Sequence, residues 1–247
     1  MRSPTTSRSP TNSTSITETI VQGLGVAIVT GHYNGSVFPK ESELAKQYGA
    51  ARSVTREAIK MLVSKGLLSS RRRRGTLVNS EDEWNLLDPD VLRWLLERKF
   101  SLELLLEFTE IRMSIEPGAA ALAAGRASGP ERAAIATAIK RMYAAEAGED
   151  DALLSDIAFH VAVLQASGNR FFRQHREMIE TALRFSIRKT NDLKGVRLAS
   201  VADHKKVADA ILSGDVAGAE QRMRELISSA LDLLTRVGAK QGRKAAI

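Results

Sequence analysis

The sequence has no cysteine, which excludes disulfide scaffolds, thiolate nucleophiles and thiolate zinc sites together and fits a reducing cytosol. It has no apolar run near the roughly 20 residues needed to span a bilayer, and no apolar stretch resembling a secretory signal opens it. A soluble, cytoplasmic protein with no membrane partner is therefore expected. Acidic residues are scarce in the first third: residues 1–80 hold 12 Lys+Arg against 4 Asp+Glu, whereas the rest holds 24 against 25. A basic head on a neutral body points to a polyanion partner for the head and another task for the body. What the chain does have is 247 residues, 43% hydrophobic and 26% charged, enough for a core in one large or two modest domains.

Residues 1–14, rich in Ser, Thr, Pro and Asn, cannot bury enough apolar surface to offset the cost of ordering and are expected to form a disordered tail. Ser15 and Glu18 have the spacing of a capping box, and Ile20, Val21, Leu24, Ala27 and Ile28 follow at helical period. Pro39 opens a second short helix that Gly49 ends. The third runs from about Ser53 to Lys65, with Ala58, Ile59, Leu62 and Val63 on one side and Gly66 as its stop. Leu67–Ser70 and Thr76–Val78 read as strands flanking a four-arginine turn. Three helices and a hairpin predict a winged helix-turn-helix DNA-binding domain over 15–80, followed by a linker over 81–87. From Asp88-Pro89 to about residue 240 the pattern is wholly helical, divided at Gly125–Pro130, Gly148–Asp150, Gly168, Gly195 and Gly214, which predicts an antiparallel bundle. Pro117 predicts a kink, because it lacks the amide hydrogen for a bond to Met113. The fold class is mainly α.

The third helix opens with Arg52, Ser53, Thr55 and Arg56, two guanidinium and two hydroxyl groups at the end that would enter a major groove. A solvated basic helix start has the same composition. Arg72, Arg73 and Arg74 fall at a wing tip, where arginine suits phosphate or the adjacent minor groove. The stretch Phe38–Ala45, the segment Arg52–Ile59 around Arg56-Glu57-Ala58, then Gly66-Leu67-Leu68 and Arg74–Val78 resemble the DNA-binding head of GntR-type regulators. Two departures stand out: Ser42 where the family often has Arg, and Arg73 where it has Gly. Altered operator preference is what they imply.

In the body, Asp156 and His160 lie four apart and share a helix face, a spacing that suits either one metal ion or an ordinary Asp-His hydrogen bond. Glu110-Ile111-Arg112 with Glu116, Asp156–His160, Ser167-Gly168-Asn169, and His204 before Ala210-Ile211 and Gly214-Asp215 resemble the FCD ligand-binding domain of the FadR subfamily over roughly residues 88–237. Members that bind a divalent metal use one Asp and three His. The resemblance implies Asp156, His160 and His204 as ligands, with zinc or nickel the favoured ion, and places the fourth position on Leu226, which cannot coordinate. It also implies Arg112 as a clamp for an effector carboxylate; a salt bridge to Glu116, four residues on, is the competing reading. Ser200, one turn before His204, is a further candidate for the effector pocket.

The segment Trp84–Leu92 with Trp94 resembles the repressors of galactonate catabolism within the subfamily, which implies a sugar acid as effector. The expected protein is a homodimeric repressor, not an enzyme, released from double-stranded operator DNA by a small carboxylate. The alternatives are a metal-dependent hydrolase using Asp156, His160 and His204, or a regulator answering another organic acid.

Overall fold

The computed structural model describes residues 15–34, 36–71, 75–98, 101–194 and 200–245. The chain divides into two compact units, 1–98 and 99–247. Among the described residues, no helix is long and apolar enough to cross a membrane.

The first unit begins with α1 (Ile16–Val29), whose capping box forms as the spacing predicts: Glu18 N donates to Ser15 Oγ at 3.1 Å and Ser15 N to Glu18 Oε2 at 2.8 Å. α2 (Glu41–Gln47) and α3 (Arg52–Ser64) follow, then β1 (Leu68–Arg71) and β2 (Gly75–Val78), an antiparallel pair in register from Leu68 opposite Val78 to Arg71 opposite Gly75. Ile20, Leu24, Ile28, Leu44, Leu62, Leu67 and Leu68 are all but fully buried in one cluster. Each such side chain contributes about 1.5–3 kcal/mol relative to exposure. This is the expected winged helix-turn-helix. The tail 1–14 and the wing arginines Arg72, Arg73 and Arg74 lie outside the described residues.

The structure differs from the expected boundary in the next helix, α4 (Pro89–Arg98), which falls within the first unit rather than opening the body. Its capping signal is realised, since Asp88 Oδ1 accepts from the amides of Asp90 and Val91. Its apolar face, however, meets α1. Val91 and Trp94 enter the head's cluster, and the Trp94 indole occupies the space that Gly25 leaves by having no side chain. Trp94 Nε1 donates to Gln22 Oε1 at 2.8 Å, and Arg93 Nη2 to the same oxygen at 2.9 Å. At the end of α3, Lys65 Nζ pairs with Asp88 at 2.8 Å and Asp90 at 3.0 Å. The intervening segment is equally integrated. A Cβ on Gly66, whose φ is +76°, would stand 2.3 Å from the Glu83 carbonyl oxygen.

The second unit consists, among the described residues, of α5 (Leu102–Arg126), α6 (Gly129–Glu146), α7 (Ala152–Ala166), α8 (Arg170–Gln174), α9 (Arg176–Lys194), α10 (Val201–Ser213) and α11 (Val216–Ala245). The breaks near 127, 148, 168 and 214 follow the glycine signals, and Gly214 closes α10 at φ 80°. α5 runs as one helix through the buried Pro117. Its Ala119, Ala120, Ala123 and Ala124 are buried, and α11, which packs on it, buries Met223, Ile227 and Leu234. α7 packs on α5, α6 and α9, while α10 packs on α5, α6 and α11. Arg132 ties two of these elements together: its guanidinium donates to the carbonyls of Ala124 and Ala127 at the end of α5 and of Ile211 and Leu212 at the end of α10, at 2.8–3.1 Å.

Candidate DNA-binding surface and buried metal-ligand cluster

The amino end of α3 is an exposed basic surface. Arg52, Ser53 and Arg56 all face solvent. Arg56 Nε and Nη2 both donate to Glu41 Oε2 at 3.2 Å, a pair whose exposure keeps its stabilisation within about 1 kcal/mol but which holds the guanidinium toward α2. Thr55 corrects the sequence expectation. It is fully buried, with Oγ1 donating to Ala51 O at 3.3 Å, so its hydroxyl is not available to a base or phosphate.

In the body, α5, α7 and α10 bring Arg112, Glu116, Asp156, His160 and His204 together, each no more than 5% exposed. His204 Nδ1 is 2.8 Å from the Ser200 carbonyl, an acceptor only, so Nδ1 carries a proton and Nε2 is the nitrogen that faces the cluster. His160 Nδ1 is 2.5 Å from Glu116 Oε2, which places a proton on it in the same way. The two Nε2 atoms lie 3.2 Å and 3.3 Å from Asp156 Oδ1. Neither Asp156 Oδ1 nor His204 Nε2 has an aligned hydrogen bond, although both are buried. With each Nε2 unprotonated, three lone pairs would converge on one point, an arrangement that calls for a cation. The ligand atoms lie within 4.8 Å of one another, and carboxylate with two imidazoles is a donor set for a divalent transition metal. The residues fit the ion.

With no ion bound, the electrostatics favour charged partners, a proton on His160 standing where a metal would otherwise sit. Burial pushes the Glu116 carboxyl up, but the charges and hydrogen bonds of Arg112 and His160 prevail and hold it at about 2. Burial likewise opposes ionisation of Asp156, and the two histidines overcome it, leaving the carboxyl far below its ordinary value. His160 is raised: burial and Arg112 lower it, and Glu116 and Asp156 outweigh them. The Phe159 ring stands edge-on to both imidazoles, with centroids 5.6 Å and 5.1 Å away.

For Arg112, the intrahelical reading is realised, since Nε donates to Glu116 Oε1 at 2.6 Å. Its Nη2 lies 3.2 Å and 3.4 Å from the two His160 nitrogens. Ser200 is placed differently from expectation. Its hydroxyl accepts from Asp203 N as the cap of α10, and its contribution to the cluster is the carbonyl that orients His204. Leu226 is half-buried on α11. Sequence reasoning does not reach the Glu116–His160 pair. The i,i+4 spacing connects Glu116 to Arg112, but nothing in the sequence announces a contact from α5 to α7.

Residues 16–78 match the family described as bacterial regulatory proteins, gntR family, and residues 107–229 match the FCD domain. The chain is 34% identical over 215 residues to the galactonate operon transcriptional repressor of Escherichia coli strain K12, covering 86% of this chain and 94% of that protein. This chain belongs to the gntR family of bacterial regulatory proteins. A second relative, the HTH-type transcriptional regulator LutR of Bacillus subtilis strain 168, is 28% identical over 197 residues, or 78% of this chain and 88% of that one. The solved structure of Lar, which controls expression of the Listeria monocytogenes agr system, shares the fold at a TM-score of 0.53 with 16% identity, covering 92% and 99% of the two chains.

As a GntR-family regulator with an FCD domain, the protein binds DNA through its head and a small-molecule effector through its body. The exposed arginines of α3 fall within the gntR match, and the buried cluster falls within the FCD match. The hydrolase alternative finds no support. The matched gntR family and the curated relatives are those of transcription regulators.

Proposed function

We propose that this GntR-family regulator is a homodimeric repressor of sugar-acid catabolic genes, released from its operator when a galactonate-like hydroxy acid enters the body. The observation that carries the effector site is the convergence of Asp156 Oδ1 and His204 Nε2, both buried without an aligned hydrogen bond, on a point shared with His160 Nε2. Asp156, His160 and His204 hold one divalent transition metal, zinc or nickel being favoured by imidazole with carboxylate. When bound, the ion supplies a Lewis-acidic anchor for an effector oxygen. The galactonate assignment draws on the relative's name and on the shared pattern Trp84–Leu92 with Trp94.

On the DNA side, Arg52 and Arg56 contact the operator and Ser53 adds a shorter contact. A dimer doubles the base contacts that one small head makes. Arg52→Ala and Arg56→Ala should each weaken binding to operator duplex by about 1–3 kcal/mol if the contact is bidentate to a base. Fluorescence anisotropy with operator and scrambled duplexes measures this, and unchanged affinity in both variants would reject the recognition-helix assignment. Alanine at Arg72, Arg73 and Arg74 should instead flatten the salt dependence, by about 0.9 in log-log slope for each phosphate no longer neutralised.

Metal analysis of protein purified without chelator or affinity tag tests the cluster, with near-stoichiometric metal expected in wild type and little in His160→Ala. Equal, negligible metal in both would leave the residues a hydrogen-bonded structural group. Dissociation by a different organic acid, with sugar acids inert, would keep the regulator and change its effector class.

A further inference from the structure

We propose that Glu116 is a positioning residue for the metal site: its carboxylate, braced by Arg112, fixes His160 with the proton on Nδ1 and so presents Nε2 to the point shared with His204 and Asp156. This rests on the proposal above that these three residues hold a metal ion.

The two imidazoles are oriented by unlike partners. His204 is held by a neutral acceptor, the Ser200 carbonyl within its own helix, at 2.8 Å. His160 is held across helices by an anion, Glu116 Oε2 on α5, at 2.5 Å. A carboxylate behind an imidazole raises its basicity as a ligand as well as fixing its orientation. That increment matters more in this chain than in a four-ligand site, because among the described residues only three donors gather here. Arg112 has a different part. By donating from Nε to Glu116 Oε1 at 2.6 Å, it supplies the counter-charge that lets a carboxylate only 1% exposed remain ionised. Glu116 therefore acts on the metal through His160, and Arg112 acts through Glu116 as well as directly, its Nη2 lying 3.2 Å from His160 Nε2.

A purely structural Glu116 would serve only to tie α5 to α7, and glutamine, with the same shape and one accepting oxygen, would preserve much of that. Glu116→Gln separates the two roles, while Arg112→Met/Glu116→Gln removes the clash between the new amide and the guanidinium in case the single variant folds poorly. Zinc and cobalt affinities of full-length protein would be read by chelator competition, and ¹⁵N NMR would read the His160 tautomer before and after metal. The expected result is a 10- to 100-fold loss of metal affinity in the folded variants, with His160 in metal-loaded wild type carrying its proton on Nδ1. Folded variants that bind metal as wild type does would overturn the proposal, as would metal-loaded wild type with no proton on His160 Nδ1. Wild type that binds neither ion would defeat the metal reading itself, a result distinct from unchanged affinity in the variants.

Discussion

Gly25→Ala is expected to destabilise the N-terminal unit by about 1–3 kcal/mol, the cost usual for overpacking a well-packed core. A Cβ at this position would stand 2.3, 2.4 and 2.6 Å from three atoms of the Trp94 ring. The indole is rigid, only 2% exposed and held at Nε1 by Gln22, so a small shift does not relieve the overlap. The intrinsic preference of alanine over glycine inside a helix works in the opposite direction, by about 1 kcal/mol. The clash is therefore predicted to win. Urea unfolding followed by tryptophan fluorescence would measure it, and Gly25→Ala/Trp94→Leu should cost less than the two single variants added together, because the overlap is removed only once. Additive costs would mean that Trp94 does not occupy this space in solution.

The second large effect concerns Arg112. In metal-free protein, Arg112→Met should cost about 3–5 kcal/mol near neutral pH, since it strips a buried carboxylate of its principal counter-charge. Arg112→Met/Glu116→Gln should recover most of that loss, because no ion is left unpaired. The acid limb gives an independent signature. Glu116 is held at about 2 in the folded state against an ordinary value of 4.5, so its contribution is complete above about 4.5 and is lost as pH falls toward 2. His160, held above its ordinary 6.5, contributes in the opposite sense: its stabilisation is full below that value and fades as pH rises through the folded one. The double variant should therefore show a flatter loss of stability between about pH 4.5 and 2 than wild type. An equal slope would mean that Glu116 is not paired in the folded protein.

These residues also show how far the sequence reaches. The Ser15–Glu18 cap, the basic start of α3 and the shared face of Asp156 and His160 are local, and fixed backbone spacings make them legible. The burial of Thr55 is legible in the same way, against the expectation that its hydroxyl faces DNA. It precedes Ala58 by three residues, Ile59 by four and Leu62 by seven, which puts it on the helix's buried face whatever its hydroxyl offers. The allegiance of α4 is not legible. Periodicity shows that Val91, Leu92, Leu95 and Leu96 form an apolar stripe but not which partner it meets, and the deciding feature is a missing side chain at Gly25, some 70 residues earlier. Glu116 against His160 is the same kind of case, a contact across two helices between residues 44 apart in sequence. His204 enters through family resemblance alone, and the structure places it beside Asp156.

The most direct test of the account is a titration of galactonate and related acids into the complex of metal-loaded, full-length protein with its operator. A hydroxy acid should lower operator affinity at least tenfold, equivalent to about 1.4 kcal/mol of preference for the low-affinity state, and metal-free protein or Asp156→Ala should fail to respond while still binding DNA. If metal-loaded protein held its operator equally tightly in the presence of every sugar acid and other organic acid supplied at saturation, the claim that this body is the operator's chemical switch would be contradicted.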